Sequence, residues 1–125
     1  MPSFDFSIET QQGEWVNVSD KVRTAAALSR IEDGLCVIDC PYLDAAVVIS
    51  DSDEAQAKSM EREWDGVFKN MPQETAARLK AAMLGGAKTI LIEHGKLFLR
   101  REQAVYLCEF GQAQERMLFI KVVGS

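Results

Sequence analysis

In the stretch CPYLDAAVVISD, Cys40 to Asp51, a polar corner precedes a buried-looking apolar run, and an acidic helix start follows it. Segments that end a strand commonly carry catalytic residues. This corner offers Pro41, Tyr42, Leu43 and Asp44, none of them an obvious nucleophile, base or metal ligand. Two basic groups lie further on. Arg78 and Lys80 sit two residues apart in a helical segment, and Arg100 and Arg101 stand directly before Glu102 and Gln103. Guanidinium pairs bidentately with phosphate or carboxylate, so a strand end carrying two arginines can hold an anion. From the residues alone the preferred reading is a solvated, charged sheet edge that discourages pairing with another chain.

The other reactive side chains have plainer readings. His94 is the only histidine, and it lies at the tip of a hairpin pattern, where a turn projects its side chain into solvent. One histidine excludes a histidine-rich metal site within a single chain. Cys36 and Cys40 point to one face of an extended chain but would stand ~13 Å apart along it, too far for a shared bond or metal. With Cys108 they read as buried free thiols, whereas a thiol sensor through Cys40 would need an exposed, electropositive site. The acidic run Asp51 to Glu54 lacks the spacing and central glycine of a calcium loop and reads as helix capping. Met60 and Trp64 form an apolar helical stripe that reads as core.

The elements that must position these groups fit one domain, residues 1–125. A chain of 125 residues with 47% hydrophobic and 26% charged residues can bury a core without disulfides or metals. A net charge of -5 repels phosphate backbones, so nucleic acid is not an expected partner. No apolar run approaches the ~20 residues needed to cross a membrane, and the acidic start is not a signal peptide. Three cysteines fit a reducing cytoplasm.

Phe4, Phe6 and Ile8 alternate as in a half-buried strand, Gly13 marks a turn, and Trp15 to Val18 reads as the antiparallel partner of that strand. Ser19 reads as a helix cap with Asp20 in the first turn, and Val22, Ala25, Ala26 and Ser29 share a face. Strands are expected at Leu35 to Asp39 and Ala45 to Ser50. A long helix follows, capped at Asp51, with Ala57, Met60, Trp64, Val67, Phe68 and Met71 at helical spacing. Pro72 starts a further helix that stops at Gly85-Gly86. TILIE-HG-KLFLR reads as a hairpin with a two-residue turn. Ala104 to Phe110 and Met117 to Val123 read as the last two strands.

From Arg78 onward the chain resembles the YjbQ family of secondary thiamine-phosphate-synthase-like proteins. The residues that carry the resemblance are LKAAMLGGAKTILIEHGKLFLRREQAVYLCEF and ERMLFIKVVG, with GEWVNVSDKV and AAVVISDSDE extending it to nearly the whole chain. The resemblance implies an α+β fold: an antiparallel β-sandwich with two to three helices, assembled as a homotrimer. It also implies a set of histidines that this chain lacks. The family's histidine-threonine-serine-alanine motif falls on Tyr42, Leu43, Asp44 and Ala45, where only the alanine matches. A helical histidine falls on Arg78, with the following lysine kept as Lys80. The loop carrying another histidine is missing, since Met71-Pro72-Gln73 joins the two helices directly. The family's glycine, threonine and tryptophan become Arg100, Arg101 and Glu102, its glutamine stays as Gln103, and Asp51 replaces a glutamate.

Loss of three histidines removes the groups best suited to metal binding and proton transfer near neutral pH. Arginine cannot substitute for them, because it stays protonated. What the resemblance then implies is a degenerate active site in a cytoplasmic homotrimer that is non-catalytic or strongly impaired, without cofactor or metal. Arg78, Lys80, Arg100, Arg101 and Gln103 would hold a small phosphorylated or carboxylated ligand. The alternative is a phosphate-handling enzyme related to thiamine-phosphate synthase, with Asp44 or Glu102 as a rebuilt base, with or without a carboxylate-held metal. The expectation that separates these readings is geometric: whether Asp44, Arg78 and Glu102 meet in one cleft, within one subunit or between subunits.

Overall fold

The computed structural model describes residues 2–125 and contains two antiparallel sheets and three helices. The strands are β1 (Ser3–Glu9), β2 (Trp15–Asn17), β3 (Gly34–Asp39), β4 (Ala45–Asp51), β5 (Ala87–Glu93), β6 (Lys96–Leu97), β7 (Gln103–Glu109) and β8 (Glu115–Gly124). The helices are α1 (Ser19–Ser29), α2 (Glu54–Phe68) and α3 (Gln73–Leu84). One sheet has the order β1-β8-β3-β5-β6 and the other the order β2-β7-β4.

The layering follows from strand alternation. On β7, Val105 and Leu107 join the core between the sheets, together with Ile38 and Cys36 of β3, Val47 of β4, and Leu118, Ile120 and Val122 of β8. Ala104, Tyr106, Cys108 and Phe110 point the other way, into a second core beneath α2 and α3 with Ala57, Ala77 and Ala81. The three-stranded sheet is therefore the middle layer, which is why every residue from Ala104 to Phe110 is buried. Helix α1 adds Val22, Ala25 and Ala26 to the core between the sheets. The His94-Gly95 turn has positive φ at both positions (52° and 73°), the backbone twist a two-residue hairpin requires.

Several local expectations change. Trp15 to Val18 is not the partner of β1: β1 pairs with β8, and β2 pairs with β7 in the other sheet. The chain passes from one sheet to the other between Thr10 and Glu14, so the Gly13 turn (φ 76°) makes a corner and not a hairpin. Ser19 is not the cap of α1. It lies in the first turn, its hydroxyl accepts from the Val105 N–H, and its own N–H donates to Asn17 Oδ1. The cap of α2 is Asp53, which accepts from the N–H groups of Ala55 and Gln56, while Asp51 closes β4 and accepts from the Asp53 N–H. The α2 stripe is only partly core: Phe68 and Ala57 are buried, but Met60 and Val67 are 55% and 70% exposed. The KLFLR strand is short: β6 spans only Lys96 and Leu97, and beyond it the Phe98 N–H still donates to the Leu91 carbonyl at 2.8 Å.

Among the described residues, no helix is long and apolar enough to cross a membrane.

Candidate ligand-binding cleft

A cleft of about 620 Å³ opens at the corner before β4. Pro41 to Asp44 form one wall, the first two turns of α3 form the other with Gln73, Glu74, Ala77 and Arg78, and Gly111 and Gln112 close the end. Local chemistry fixes each wall. The Gln73 side chain donates to the Phe110 carbonyl at 3.0 Å and ties the start of α3 to the turn after β7. Tyr42 stands beside the β8 backbone, its hydroxyl accepting from the Met117 N–H at 2.8 Å.

Beneath Asp44 lies a buried ion cluster that joins the two sheets. Arg116 on β8 donates from a terminal nitrogen to Asp44 Oδ1 at 2.7 Å and to Glu109 Oε2 at 2.6 Å, and from Nε to Glu109 Oε1 at 2.8 Å. Glu109, at the end of β7, is fully buried and also accepts from the Thr10 hydroxyl at 2.6 Å and the Gly111 N–H at 3.0 Å. The Arg116 guanidinium lies 4.6 Å from the Tyr42 ring centroid. Hydrogen bonds with Glu109 hold the Arg116 pKa well above the usual arginine value, burial opposes this, and Asp44 adds to the upward effect. A Cβ at Gly111 would stand 2.2 Å from Asp44 Oδ2, so the cluster requires glycine there. Asp44, one-third exposed, is the ionisable member of this cluster that lines the cleft, beside Tyr42 and Gly111.

The sequence-derived residues divide into three places. Asp44 and Arg78 share the cleft. Lys80 does not: it is 86% buried at the side chain, pairs with Glu61 at 2.9 Å and Asp65 at 3.1 Å, and lies over the Phe68 and Phe110 rings. Burial opposes its charge, but those two carboxylates outweigh burial and raise its pKa. Arg100 and Glu102 line a second cleft of about 510 Å³ between the β5–β6 hairpin and the end of β4, and Arg101 faces a polar recess beside the starts of α1 and α2. Gln103 borders both and accepts from the Arg100 N–H at 3.1 Å. Asp51 pairs with Gln103 and Ala45 with Glu109. Six residues of strand, roughly 20 Å, thus separate the two clefts within one chain.

His94 sits in its turn, its N–H 3.4 Å from Asp33 Oδ1 and its side chain outside the cleft lining. The three cysteines are free and buried; burial pushes Cys36 up to about 11 and Cys40 to about 12, and raises Cys108 further. They match the inert thiols read from the sequence. Among the described residues, no three His, Cys, Asp or Glu side chains converge as metal ligands would.

Sequence reading overlooked Arg116 and Glu109. Two signals were present. Arg116 has the same strand parity as Leu118, Ile120 and Val122, which places it inward, and Glu109 interrupts the buried run AVYLCEF. A buried cation and a buried anion at sheet ends call for one another.

A model of the family described as UPF0047 protein YjbQ-like matches residues 4–125. UPF0047 protein YugU of Bacillus subtilis (strain 168) is 28% identical over 123 residues, covering 92% of this chain and 93% of that one. The crystal structure of an uncharacterized conserved protein of the YjbQ/UPF0047 family from Clostridium acetobutylicum superposes with a TM-score of 0.87 at 27% identity, over 96% of this chain and 99% of the other. A hypothetical protein from Aeropyrum pernix K1 has the same fold, with a TM-score of 0.87 at 20% identity over the full length of both chains.

Proposed function

The chain belongs to the YjbQ-like UPF0047 family, and from that premise we propose that it is a homotrimer that binds a small phosphorylated or carboxylated ligand without turning it over. The observation that carries this reading is the meeting of Arg78 and Asp44 in one cleft that no histidine lines. Arg116 is saturated by Glu109 and Asp44, so Arg78 is the cation with charge to offer. Its partner Glu74 is 78% exposed at the side chain. Such a surface pair is worth little, and a ligand anion can displace it. Asp44 accepts a hydrogen bond from Arg116 and lines the cleft beside Arg78.

Charge explains why assembly belongs to the proposal. Asp44, Glu74 and Glu109 outnumber Arg78 and Arg116 around the first cleft, so alone it holds an anion weakly. Arg100 and Arg101 lie at the far end of β4. A neighbouring subunit could bring them to the cleft and reverse the sign. The outer face of the five-stranded sheet supports such a contact. Leu91, Leu35 and Val123 form an exposed cross-strand apolar row over β5, β3 and β8, and Phe98 is exposed in the second cleft. An apolar row of this kind is a recurrent mark of subunit contact.

The test is thermal melting with phosphate, pyrophosphate and thiamine phosphate. A ligand that prefers the folded state, at one hundred times its Kd, adds about 2.7 kcal/mol and raises Tm by several degrees. The expected result is a rise that Arg78→Ala and Arg100→Ala each reduce. A wild-type protein that no anion stabilises would refute the reading, as would shifts unchanged in both variants. Turnover of a thiamine precursor, abolished by Asp44→Ala or Glu102→Ala, would instead establish the rebuilt enzyme. Sedimentation at micromolar concentration tests the trimer; a monomer counts against it.

A further inference from the structure

A second kind of binding surface lies at the other end of α3, where α2, the last turn of α3 and the edge strand β4 enclose an apolar groove of about 430 Å³. Trp15, Trp64, Met60, Met83 and Leu84 supply its apolar walls, and among the described residues Lys88 is the one ionisable side chain that lines it. The volume is within the ~300–1,000 Å³ of small-molecule sites. Met60 and Met83 are 55% and 64% exposed, and flexible thioethers at a groove mouth adapt to varied apolar guests.

Lys88 gives the groove its chemical sign. Its ammonium donates to the Leu84 carbonyl at 2.6 Å and lies 3.4 Å from that of Ala87, so it is fixed beside the last turn of α3. Among the described residues no carboxylate lies within 4.0 Å of it, although the neighbouring Lys58 and Lys80 both have acidic partners. Burial lowers its pKa. A half-buried ammonium without a counter-ion at the end of an apolar groove complements a single negative charge attached to an apolar body. A dianion would leave its second charge uncompensated against tryptophan and methionine.

We propose that this groove binds a medium-chain alkyl carboxylate, its chain lying among Trp15, Trp64, Met60 and Met83 and its carboxylate accepting from Lys88 Nζ. The site is separate from the Arg78 cleft, and neither proposal depends on the other.

The protein has two tryptophans and both line the groove, so intrinsic fluorescence reports directly on its occupancy. The experiment titrates the intact protein with decanoate below its micelle concentration, beside decanol and decylamine. A saturable change with decanoate, about tenfold tighter than with decanol, is expected, because a hydrogen bond to a charged group carries that much. Lys88→Met should remove the preference while leaving decanol unchanged, and Arg78→Ala should alter neither. Should Lys88→Met fail to fold, Met83→Glu, at an exposed position on the rim, should weaken decanoate and tighten decylamine. The proposal is overturned by the absence of a saturable signal, by equal affinity for decanoate and decanol, or by rim and lysine variants that leave decanoate binding intact. It is also overturned if Met60→Glu dissociates an oligomer whose wild-type form ignores decanoate, since the groove would then be closed by a second copy of the chain.

Discussion

Replacing Arg116 by methionine tests most sharply how the cleft is supported. The substitution keeps an unbranched side chain of similar reach but deletes three charged hydrogen bonds, at 2.6, 2.7 and 2.8 Å. Glu109 is fully buried and would keep only the Thr10 hydroxyl and the Gly111 N–H as donors. Removing one member of a buried ion pair costs about 3–5 kcal/mol, because the remaining charge cannot rehydrate. Against a total stability of roughly 5–15 kcal/mol that is a severe loss. For a domain of this size it lowers Tm by roughly 10 °C or more. Asp44 is one-third exposed and recovers water, so most of the penalty belongs to Glu109. Adding Glu109→Gln removes the orphan charge; its one amide oxygen keeps the Gly111 N–H, and the Thr10 hydroxyl can turn to accept from the amide NH2. The double variant should therefore regain at least half the loss. Urea unfolding of wild type, both single variants and the double variant gives the coupling energy directly. Single variants whose losses simply add, or an Arg116→Met protein within about 1 kcal/mol of wild type, would refute the argument that this pair staples the sheets.

Three further outcomes follow from the same geometry. Gly111→Ala places a methyl group 2.2 Å from Asp44 Oδ2, so it should destabilise by about 1–3 kcal/mol and reduce anion-induced Tm shifts, both read by melting. Lys80→Met leaves Glu61 with Lys58 and the Trp15 indole N–H as partners; it should cost about 1–3 kcal/mol in urea unfolding while leaving anion-induced shifts unchanged, because Lys80 is a clasp between α2 and α3 and not part of the cleft. The Cys40 thiol, raised from 9.0 to about 12, holds its proton more tightly when folded, so its contribution is complete below pH 9 and declines as pH rises toward 12. At 1.36 kcal/mol per pH unit this amounts to about 4 kcal/mol at the upper end, and Cys40→Ala should flatten the alkaline fall seen in unfolding titrations.

The framework was largely legible because alternation and capping are local signals. Phe4-Phe6-Ile8, the doubly apolar run from Ala104 to Phe110 and the His94-Gly95 turn each gave the right element. Strand partnership was not local. β1 and β2 are neighbours in sequence but lie in different sheets, and only the buried cluster at Thr10, Glu109 and Arg116 reveals where the chain crosses. The caps were misplaced by two residues at α2 because Asp51 and Asp53 both accept backbone N–H bonds, and β4 extends through the first of them. At the cleft, Asp44 was found through the corner before β4, and Arg78 through the family histidine whose place in the helix it takes. Lys80 was drawn into the same group by its spacing from Arg78, yet two residues along a helix point in different directions, and it faces Glu61 instead. Arg116 and Glu109 were hidden because each sits within an apolar strand pattern that dominates its surroundings.

The central claim is that an anion is held in the cleft by Arg78. Calorimetric titration of pyrophosphate into wild type and Arg78→Ala measures it without relying on stability. The account predicts saturable binding to wild type that weakens about tenfold or more in the variant, with pyrophosphate recovered intact. Equal affinity in the two proteins, or no heat of binding and no displacement of any labelled anion from wild type, would contradict it.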